Sequence, residues 1–456
     1  MPRIKLHGVH APHRKNTAGE KPQRMPIPAT VTIPVSMHIG APAKPVVSVG
    51  DEVKVGQLIA EAGGFVSAPI FASVSGKVKK IDDVLVAGGQ YLPAIIIESD
   101  GKQTVSEDVK PPLVESFESF IEAVRQSGIV GLGGAGFPTA VKLKVDDLSK
   151  IEAVIINGAE CEPYITSDTR TMIDDADLLW EGVELLQKYL QAKRVIIGIE
   201  DNKPQCISIY REKCKNASGV EVKALPALYP QGGEKVLIYN TIGKIVPEGQ
   251  LPLSVGAVVI NCTTLAAIAR YIKTGMPLTE KCVTVDGSAV CQPKNVLVPI
   301  GTALKDVFEF CGGFKKLPRK VLYGGPMMGI AVPDLEVPIL KNTNAVLAFN
   351  EADSELPEPT ACIRCGRCIS HCPLRLMPAE IESAFNSKDG ETLQKLKVNL
   401  CMECGCCAFV CPARRPLVQV NKLAKGVLKE YQLQQKTLAE LQKAKIEAKA
   451  KKESAE

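Results

Sequence analysis

The chain has 456 residues, 45% of them apolar, and a net charge of +5, which is too long for one compact domain and enough for three or four. The mild charge and 5% aromatic content argue against nucleic acid as a partner. No run of about 18 apolar residues is present to cross a membrane, and MPRIKLHGVHAPHRK lacks the apolar centre of a secretory signal.

His7, His10 and His13 have the spacing of metal ligands, but no other ligand type is near, so a surface arm is expected. Val47–Ala60 reads VSVGDEVKVGQLIA, with apolar residues alternating around turns at Gly50-Asp51 and Gly56-Gln57. The pattern predicts short hairpin strands and continues through SAPIFASVSGKVKKI, Ser67–Ile81. It resembles the barrel-sandwich, or biotinyl/lipoyl-like, fold. A carrier of that kind needs a lysine at its hairpin tip, and none lies between Gln57 and Gly76. A structural or docking module is therefore expected. His38–Pro45 (HIGAPAKP) has no reading from chemistry alone.

Residues 112–265 read as α/β. A helical pattern at Ser116–Ser127 leads into Gly131-Leu-Gly-Gly-Ala-Gly-Phe-Pro-Thr-Ala-Val-Lys142, then a strand at Ala153–Ile156 that ends in Asn157-Gly-Ala-Glu-Cys-Glu-Pro-Tyr164. A helix at about Thr171–Leu190 and a strand at Arg194–Ile199 follow. Glycines 131, 133, 134 and 136 would let backbone N–H groups approach a phosphate, with Lys142 as a point charge. A tight structural turn is the competing reading of such a loop. Asn157, Glu160 and Glu162 fall at a strand's carboxyl end, where open α/β sheets bind ligands.

Beyond residue 266, a turn-linked strand at Thr284–Gly287, another at Val296–Ile300 and a helix at Ala303–Cys311 are expected. Tyr323–Gly329 (YGGPMMG) reads as a backbone turn near the α/β domain, because no strand–helix context marks it as phosphate-binding. Asn350–Pro359 is a linker.

Cys362, Cys365, Cys368 and Cys372 form C-x2-C-x2-C-x3-C-P, and Cys401, Cys404, Cys407 and Cys411 repeat it. This is the two-cluster [4Fe–4S] pattern, in which the fourth cysteine of each run ligates the other cluster. Cluster 1 is thus assigned to Cys362, Cys365, Cys368 and Cys411, and cluster 2 to Cys372, Cys401, Cys404 and Cys407. A zinc site is the alternative, but zinc gives no reason for the repeated third cysteine, the x3 spacing and the proline. Cys406 is off register and reads as an unligated neighbour. The other cysteines show no disulfide framework, which points to a reducing cytoplasm. Helical patterns at Ala379–Phe385 and Glu391–Leu400 separate the runs. The last thirty residues, rich in Lys, Ala, Gln and Glu, predict an exposed helical tail.

GLGGAGFPTAVK and NGAECEP resemble the flavin-binding loops of the flavoprotein subunit of respiratory complex I and its hydrogenase relatives; Tyr229-Pro-Gln-Gly-Gly-Glu234 and Asn261-Cys-Thr-Thr264 fit as well. The resemblance implies that Gly131, Gly133, Gly134, Lys142, Asn157, Glu160, Asn261 and Thr264 contact FMN, that Phe137 and Glu162 face NAD(H), and that Glu234 lies near both. Ala159 stands where relatives have an acidic residue, and Gly233 replaces the first of a Glu-Glu pair. The order of modules, with HIGAPAKP, SVSGKV and CIRCGRC, resembles the C subunit of the Rnf complex, an ion-translocating ferredoxin:NAD oxidoreductase.

What this implies is a multidomain α/β plus β architecture. It consists of a barrel-sandwich module at 1–111, an FMN/NAD(H) domain at 112–265, an SLBB-like β-grasp module with connector at 266–350, a helical two-[4Fe–4S] ferredoxin domain at 351–425 and a tail at 426–456. The implied function is electron exchange between NAD(H) and two [4Fe–4S] clusters through FMN, since a flavin handles both hydrides and single electrons. No side chain is expected as general acid or base. The implied partners are the membrane and iron–sulfur subunits of that complex and, indirectly, ferredoxin; the implied place is the cytoplasmic side of the membrane, peripherally. A flavin/iron–sulfur cobalamin reductase of microcompartment type and a non-catalytic electron-wire subunit are the alternatives.

Overall fold

The computed structural model describes residues 7–453. They form two compact units, one from Ala11 to Glu355 and one of residues 7–10 with Leu356 onward.

The first unit begins with two small sheets. Thr30–Pro34, Tyr91–Ser99, Gly76–Leu85 and Glu52–Val53 form one, in that spatial order; Lys44–Pro45, Leu58–Glu61 and Ile70–Phe71 form the other. Gly50 and Gly56 take the positive φ that the expected turns require. Alternate residues Val31, Ile33, Ile95 and Ile97 are fully buried, each worth about 1.5–3 kcal/mol of transfer free energy. The HIGAPAKP stretch acquires its reason here. His38 Nε2 accepts the Ala68 N–H at 3.2 Å, and the Ile39 N–H bonds the Gly136 carbonyl at 3.2 Å. One segment thus pins both a barrel turn and the glycine-rich loop.

The central sheet has four parallel strands: β1 (Ala153–Gly158), β2 (Val195–Glu200), β3 (Val220–Leu225) and β4 (Ala257–Asn261), ordered β3-β2-β1-β4. The runs of β1, β2 and β4 are apolar and buried, as strands covered on both faces demand, whereas the edge strand β3 (VEVKAL) is partly exposed. Helix α1 (Ser167–Asp174) follows β1, α2 (Glu234–Ile242) precedes β4, and α3 (Cys262–Thr274) leaves it. The single helix expected over Thr171–Leu190 is two, α1 and Ala176–Tyr189, interrupted at Asp175 (φ −107°, ψ 28°). The early start has a non-local cause. Glu160 accepts the N–H groups of Asp168 and Thr169, capping α1 from outside the helix.

A six-stranded mixed sheet follows, built on Glu280–Asp286, Lys294–Pro299, Lys320–Tyr323 and Ala345–Phe349, with a helix at Leu304–Phe310. Gln23–Arg24 adds to its edge, so the N-terminal arm reaches across to this module. One apolar core runs from Val31 in the barrel through Val154 and Ile197 to Ile300. Buried Lys341 ties three modules together, donating to the carbonyls of Pro69 at 2.6 Å and Gly128 at 2.7 Å.

The second unit is helical. Its main helices are α4 (Pro378–Asn386) and α5 (Leu417–Glu453), which pack on each other around Ile381, Leu393, Ala424 and Leu428. The helix expected at Glu391–Leu400 stops at Lys395. Lys397 takes a left-handed φ of 55°, and a 3-10 turn covers Val398–Leu400. The Lys-rich tail continues α5 without a break. Leu428 is buried, whereas Leu433, Leu438, Leu441 and Ile446 are exposed.

Candidate functional site

In the parallel sheet, β1 has β2 on one side and β4 on the other. The chain reverses its winding there, and such switch points are where open α/β sheets bind ligands. Asn157, next to last in β1, and Asn261, last in β4, are direct register partners. Asn261 caps α3: its Oδ1 accepts the Thr264 N–H at 3.1 Å, and its Nδ2 donates to Asp168 at 2.7 Å. The glycine-rich loop lies on this asparagine. A β-carbon on Gly133 would come within 2.4 Å of Asn261 Nδ2, so only glycine permits the approach. The loop is closed by the Gly131 N–H to the Phe137 carbonyl, 2.9 Å, and by the Leu132 N–H to Thr264 Oγ1, 2.9 Å. Gly133, Gly134 and Ala135 are exposed at its tip, and a β-carbon on Gly134 would meet no protein atom within 4 Å.

Around this opening, Asn157 Nδ2 donates to the Gly232 carbonyl at 2.9 Å, which holds the Tyr229–Glu234 loop against β1. Lys142 donates to Glu234 at 2.6 Å and to the Val259 carbonyl at 3.0 Å; both charged side chains stay partly exposed. Gly131, Gly133, Gly134, Lys142, Asn157, Glu234 and Asn261 are thus brought to one end of the sheet. Two expected FMN contacts do not face that opening. The Glu160 carboxylate is buried on the start of α1, and burial raises its pKa. The Thr264 hydroxyl is buried against the Leu132 N–H. Both side chains hold the loops from behind.

Glu162, expected to face NAD(H), is held by a segment that the sequence left as a plain turn. Its carboxylate accepts the N–H groups of Met327 at 3.1 Å and Met328 at 2.8 Å. A β-carbon on Gly325 would sit 2.1 Å from its Oε2. Burial pushes the Glu162 carboxyl up to about 7, against the opposing pull of those two N–H groups. Phe137 is half-buried beside the loop it closes. Lys15 was invisible in the sequence. Its Nζ donates to the carbonyls of Glu160, Glu162 and Ile165 at 2.7, 2.8 and 2.5 Å, fixing the segment that carries both glutamates. His13 is exposed nearby, its carbonyl accepting the Tyr164 N–H at 2.9 Å.

The cysteine runs show their repeat in the backbone. Arg364 and Glu403, Gly366 and Gly405, and Arg375 and Arg414 form three pairs of left-handed residues at the same offset. Alternation of right- and left-handed residues turns successive N–H groups inward, the nest geometry found around iron–sulfur centres. Cys372, Cys401, Cys404 and Cys407 line one recess together with Cys406, and Cys368 lies beside Cys411. Among the described residues, no three His, Cys, Asp or Glu side chains are gathered as ligands of a single ion would be. N–H groups already point at the sulfurs: Leu376 on Cys372 at 3.3 Å, and Glu403 on Cys401 at 3.4 Å. The donor set and backbone fit two cubanes. Cys362 and Cys365 are exposed, whereas Cys372, Cys404 and Cys407 are buried; Cys406 is buried beside Cys404.

Four known families match successive parts of the chain. The Nuo51 FMN-binding domain matches residues 124–270, the RnfC barrel sandwich hybrid domain 5–102, the SLBB domain 282–331 and the 4Fe-4S dicluster domain 361–414. The chain carries, in that sense, an FMN-binding domain and a two-cluster domain, as expected. It is 44% identical over 397 residues to the C subunit of the proton-translocating ferredoxin:NAD(+) oxidoreductase complex of Clostridium ljungdahlii, covering 86% of each chain. It is 40% identical over 378 residues to the C subunit of the Na(+)-translocating ferredoxin:NAD(+) oxidoreductase complex of Acetobacterium woodii, covering 82% of this chain and 85% of that one. A crystal structure of an NAD+-reducing [NiFe]-hydrogenase in the H2-reduced state superposes with a TM-score of 0.46 at 20% identity, over 61% of this chain and 55% of that one.

Proposed function

The chain belongs to the RnfC family, the C subunits of ion-translocating ferredoxin:NAD(+) oxidoreductase complexes, and from that premise we propose that it exchanges electrons between NAD(H) and two [4Fe–4S] clusters through FMN. The observation that carries this is the glycine loop lying on Asn261 at the sheet's switch point, on the same polypeptide as the two repeated cysteine runs. Bound FMN would supply the conversion between a two-electron hydride and single electrons.

The chain's own residues bind and orient. The N–H groups of Gly133, Gly134 and Ala135 and the Lys142 ammonium suit the phosphate; Asn157 and Asn261 suit the polar edge of the cofactor. A phosphate reaching Lys142 competes with Glu234, the lysine's present partner. Glu160 and Thr264 fix the floor, and Phe137 and Glu162 face the nicotinamide nucleotide. Cluster 1 takes Cys362, Cys365, Cys368 and Cys411; cluster 2 takes Cys372, Cys401, Cys404 and Cys407.

Exposure at Cys362 and Cys365 makes cluster 1 the contact point for a protein partner. From Pro359 to Ala379 the chain has no Asp or Glu but has Arg364, Arg367 and Arg375, which favours a partner with an acidic face. The partners are the other members of such a complex, and ion movement belongs to them. No helix of the described residues is long and apolar enough to cross a membrane; attachment is peripheral, on the cytoplasmic side.

The test is a spectrum and iron count of the purified chain. NADH should bleach a flavin and then reduce the clusters, with about eight irons per chain. A preparation with both clusters but no flavin and no NADH-dependent ferricyanide reduction would reduce the protein to an electron wire.

A further inference from the structure

The two cysteine runs are offset by 39 residues (Cys362 to Cys401, Cys411 to Cys372), and the repeat extends beyond them. Helix α4 begins at Pro378 and α5 at Leu417, the same offset. The fifth residue of each helix is therefore equivalent: Glu382 in α4 and Asn421 in α5. Their surroundings differ. Asn421 is 1% exposed, and its Nδ2 donates to Cys401 Sγ at 3.5 Å. Glu382 is also buried, but its carboxylate accepts from Arg415 Nε at 2.6 Å. Arg415 in turn donates to the Thr360 carbonyl at 3.0 Å and lies near Cys362 and Cys411.

Asn421 is a poor choice for packing. Its Oδ1 is buried with no hydrogen-bond partner, and leucine would fill the site without stranding an acceptor. The retained feature is the N–H donor aimed at a cluster ligand. Reduction adds an electron to a cubane that already carries negative charge through its thiolates. Burial makes that addition harder, and hydrogen bonds to the sulfurs make it easier. Cluster 2 is the buried one, with Cys372, Cys404 and Cys407 out of solvent, whereas cluster 1 has Cys362 and Cys365 in contact with water.

We propose that Asn421 raises the reduction potential of the cluster held by Cys372, Cys401, Cys404 and Cys407, offsetting its burial and keeping it level with the solvent-facing cluster. At the equivalent position the other cluster has an ion pair, Glu382 with Arg415, in place of the amide. Asn421 is a positioning and tuning residue that acts through Cys401, and the inference rests on the reading of the eight cysteines as cluster ligands.

The experiment is an EPR-monitored redox titration of the full chain and its Asn421→Leu and Asn421→Asp variants, each with its iron counted. One midpoint should move to more negative potential while the other stays. At a fixed solution potential the reduced-to-oxidised ratio of the affected cluster should fall several-fold in Asn421→Leu, and further in Asn421→Asp, which replaces the donor with a carboxylate of the same size. Pulsed EPR of the reduced native chain labelled with 15N-asparagine should show one side-chain nitrogen coupled to one cluster, a measurement that no folding defect can confuse. Absence of that coupling, or full iron with both midpoints unmoved in either variant, overturns the role of Asn421. A native chain with fewer than about eight irons would instead overturn the ligand assignment beneath it.

Discussion

Gly133→Ala is the most informative single change. Gly133 does not have a left-handed φ, so alanine brings no backbone strain of its own. The cost is steric: the new methyl would stand 2.4 Å from Asn261 Nδ2 and 2.7 Å from its Cγ. Nitrogen and carbon in contact need about 1 Å more, so the amide must turn or the loop must lift. Turning it breaks the cap on Thr264, worth about 1 kcal/mol, and the bond to the Asp168 carboxylate, worth about 1.5–3 kcal/mol. The expected loss is therefore about 2–4 kcal/mol, shared between stability and FMN affinity. The assay is a double-mutant cycle with Asn261→Ala, read by FMN titration and by chemical unfolding. In the Asn261→Ala background the methyl finds room, and Gly133→Ala should cost under about 1 kcal/mol. Equal penalties in both backgrounds would refute the argument that Gly133 exists to let the loop rest on Asn261.

Gly134→Ala is the counterpart: its methyl meets no protein atom, so stability should change by no more than about 0.5 kcal/mol while FMN titration shows weaker binding. Glu162, with its carboxyl raised to about 7 by burial, is neutral below that pH and anionic above it; the KM for NADH should rise as pH increases through 7, and Glu162→Gln should flatten the profile. Burial lowers Lys341 from 10.5 to about 7, so between those values the unfolded chain binds the extra proton and stability grows with pH. From pH 7 to pH 9 the native chain should gain about 2 kcal/mol relative to Lys341→Met in parallel urea unfolding, and no relative gain would show that Lys341 is not desolvated. Cys411→Ser should cost the cluster of Cys362, Cys365 and Cys368 and leave roughly four irons, whereas Cys406→Ser should leave the iron count unchanged; loss of the other cluster in Cys411→Ser would disprove the crossed ligation.

Several readings failed for one reason. The helix placed at Thr171 begins at Ser167 because its cap is the side chain of Glu160, which no window around residue 167 contains. The YGGPMMG segment is the turn beside the α/β domain that was expected, but its role of presenting two N–H groups to Glu162, 165 residues earlier in the chain, has no local signal. Glu160 and Glu162, two residues apart in one motif, were both expected at the opening. They diverge because one reaches the start of α1 and the other reaches this later loop. HIGAPAKP has no local reading because His38 and Ile39 hold Ala68 and Gly136, which lie further along the chain.

By itself the sequence determined the iron–sulfur chemistry and the sheet class, because these rest on local spacing, while the flavin and the module order follow from the resemblance its motifs carry. Three thiolates two residues apart wrap a cubane wherever the run is placed, and closely spaced glycines open the backbone of a loop wherever the loop is placed. Only the tertiary structure decided which side chains face the opening and which support it. It alone revealed Lys15, which grips the glutamate segment from 145 residues away, and Asn421, which points at a sulfur from a neighbouring helix. Those directions are set by packing between elements distant in the chain, and no local pattern specifies them.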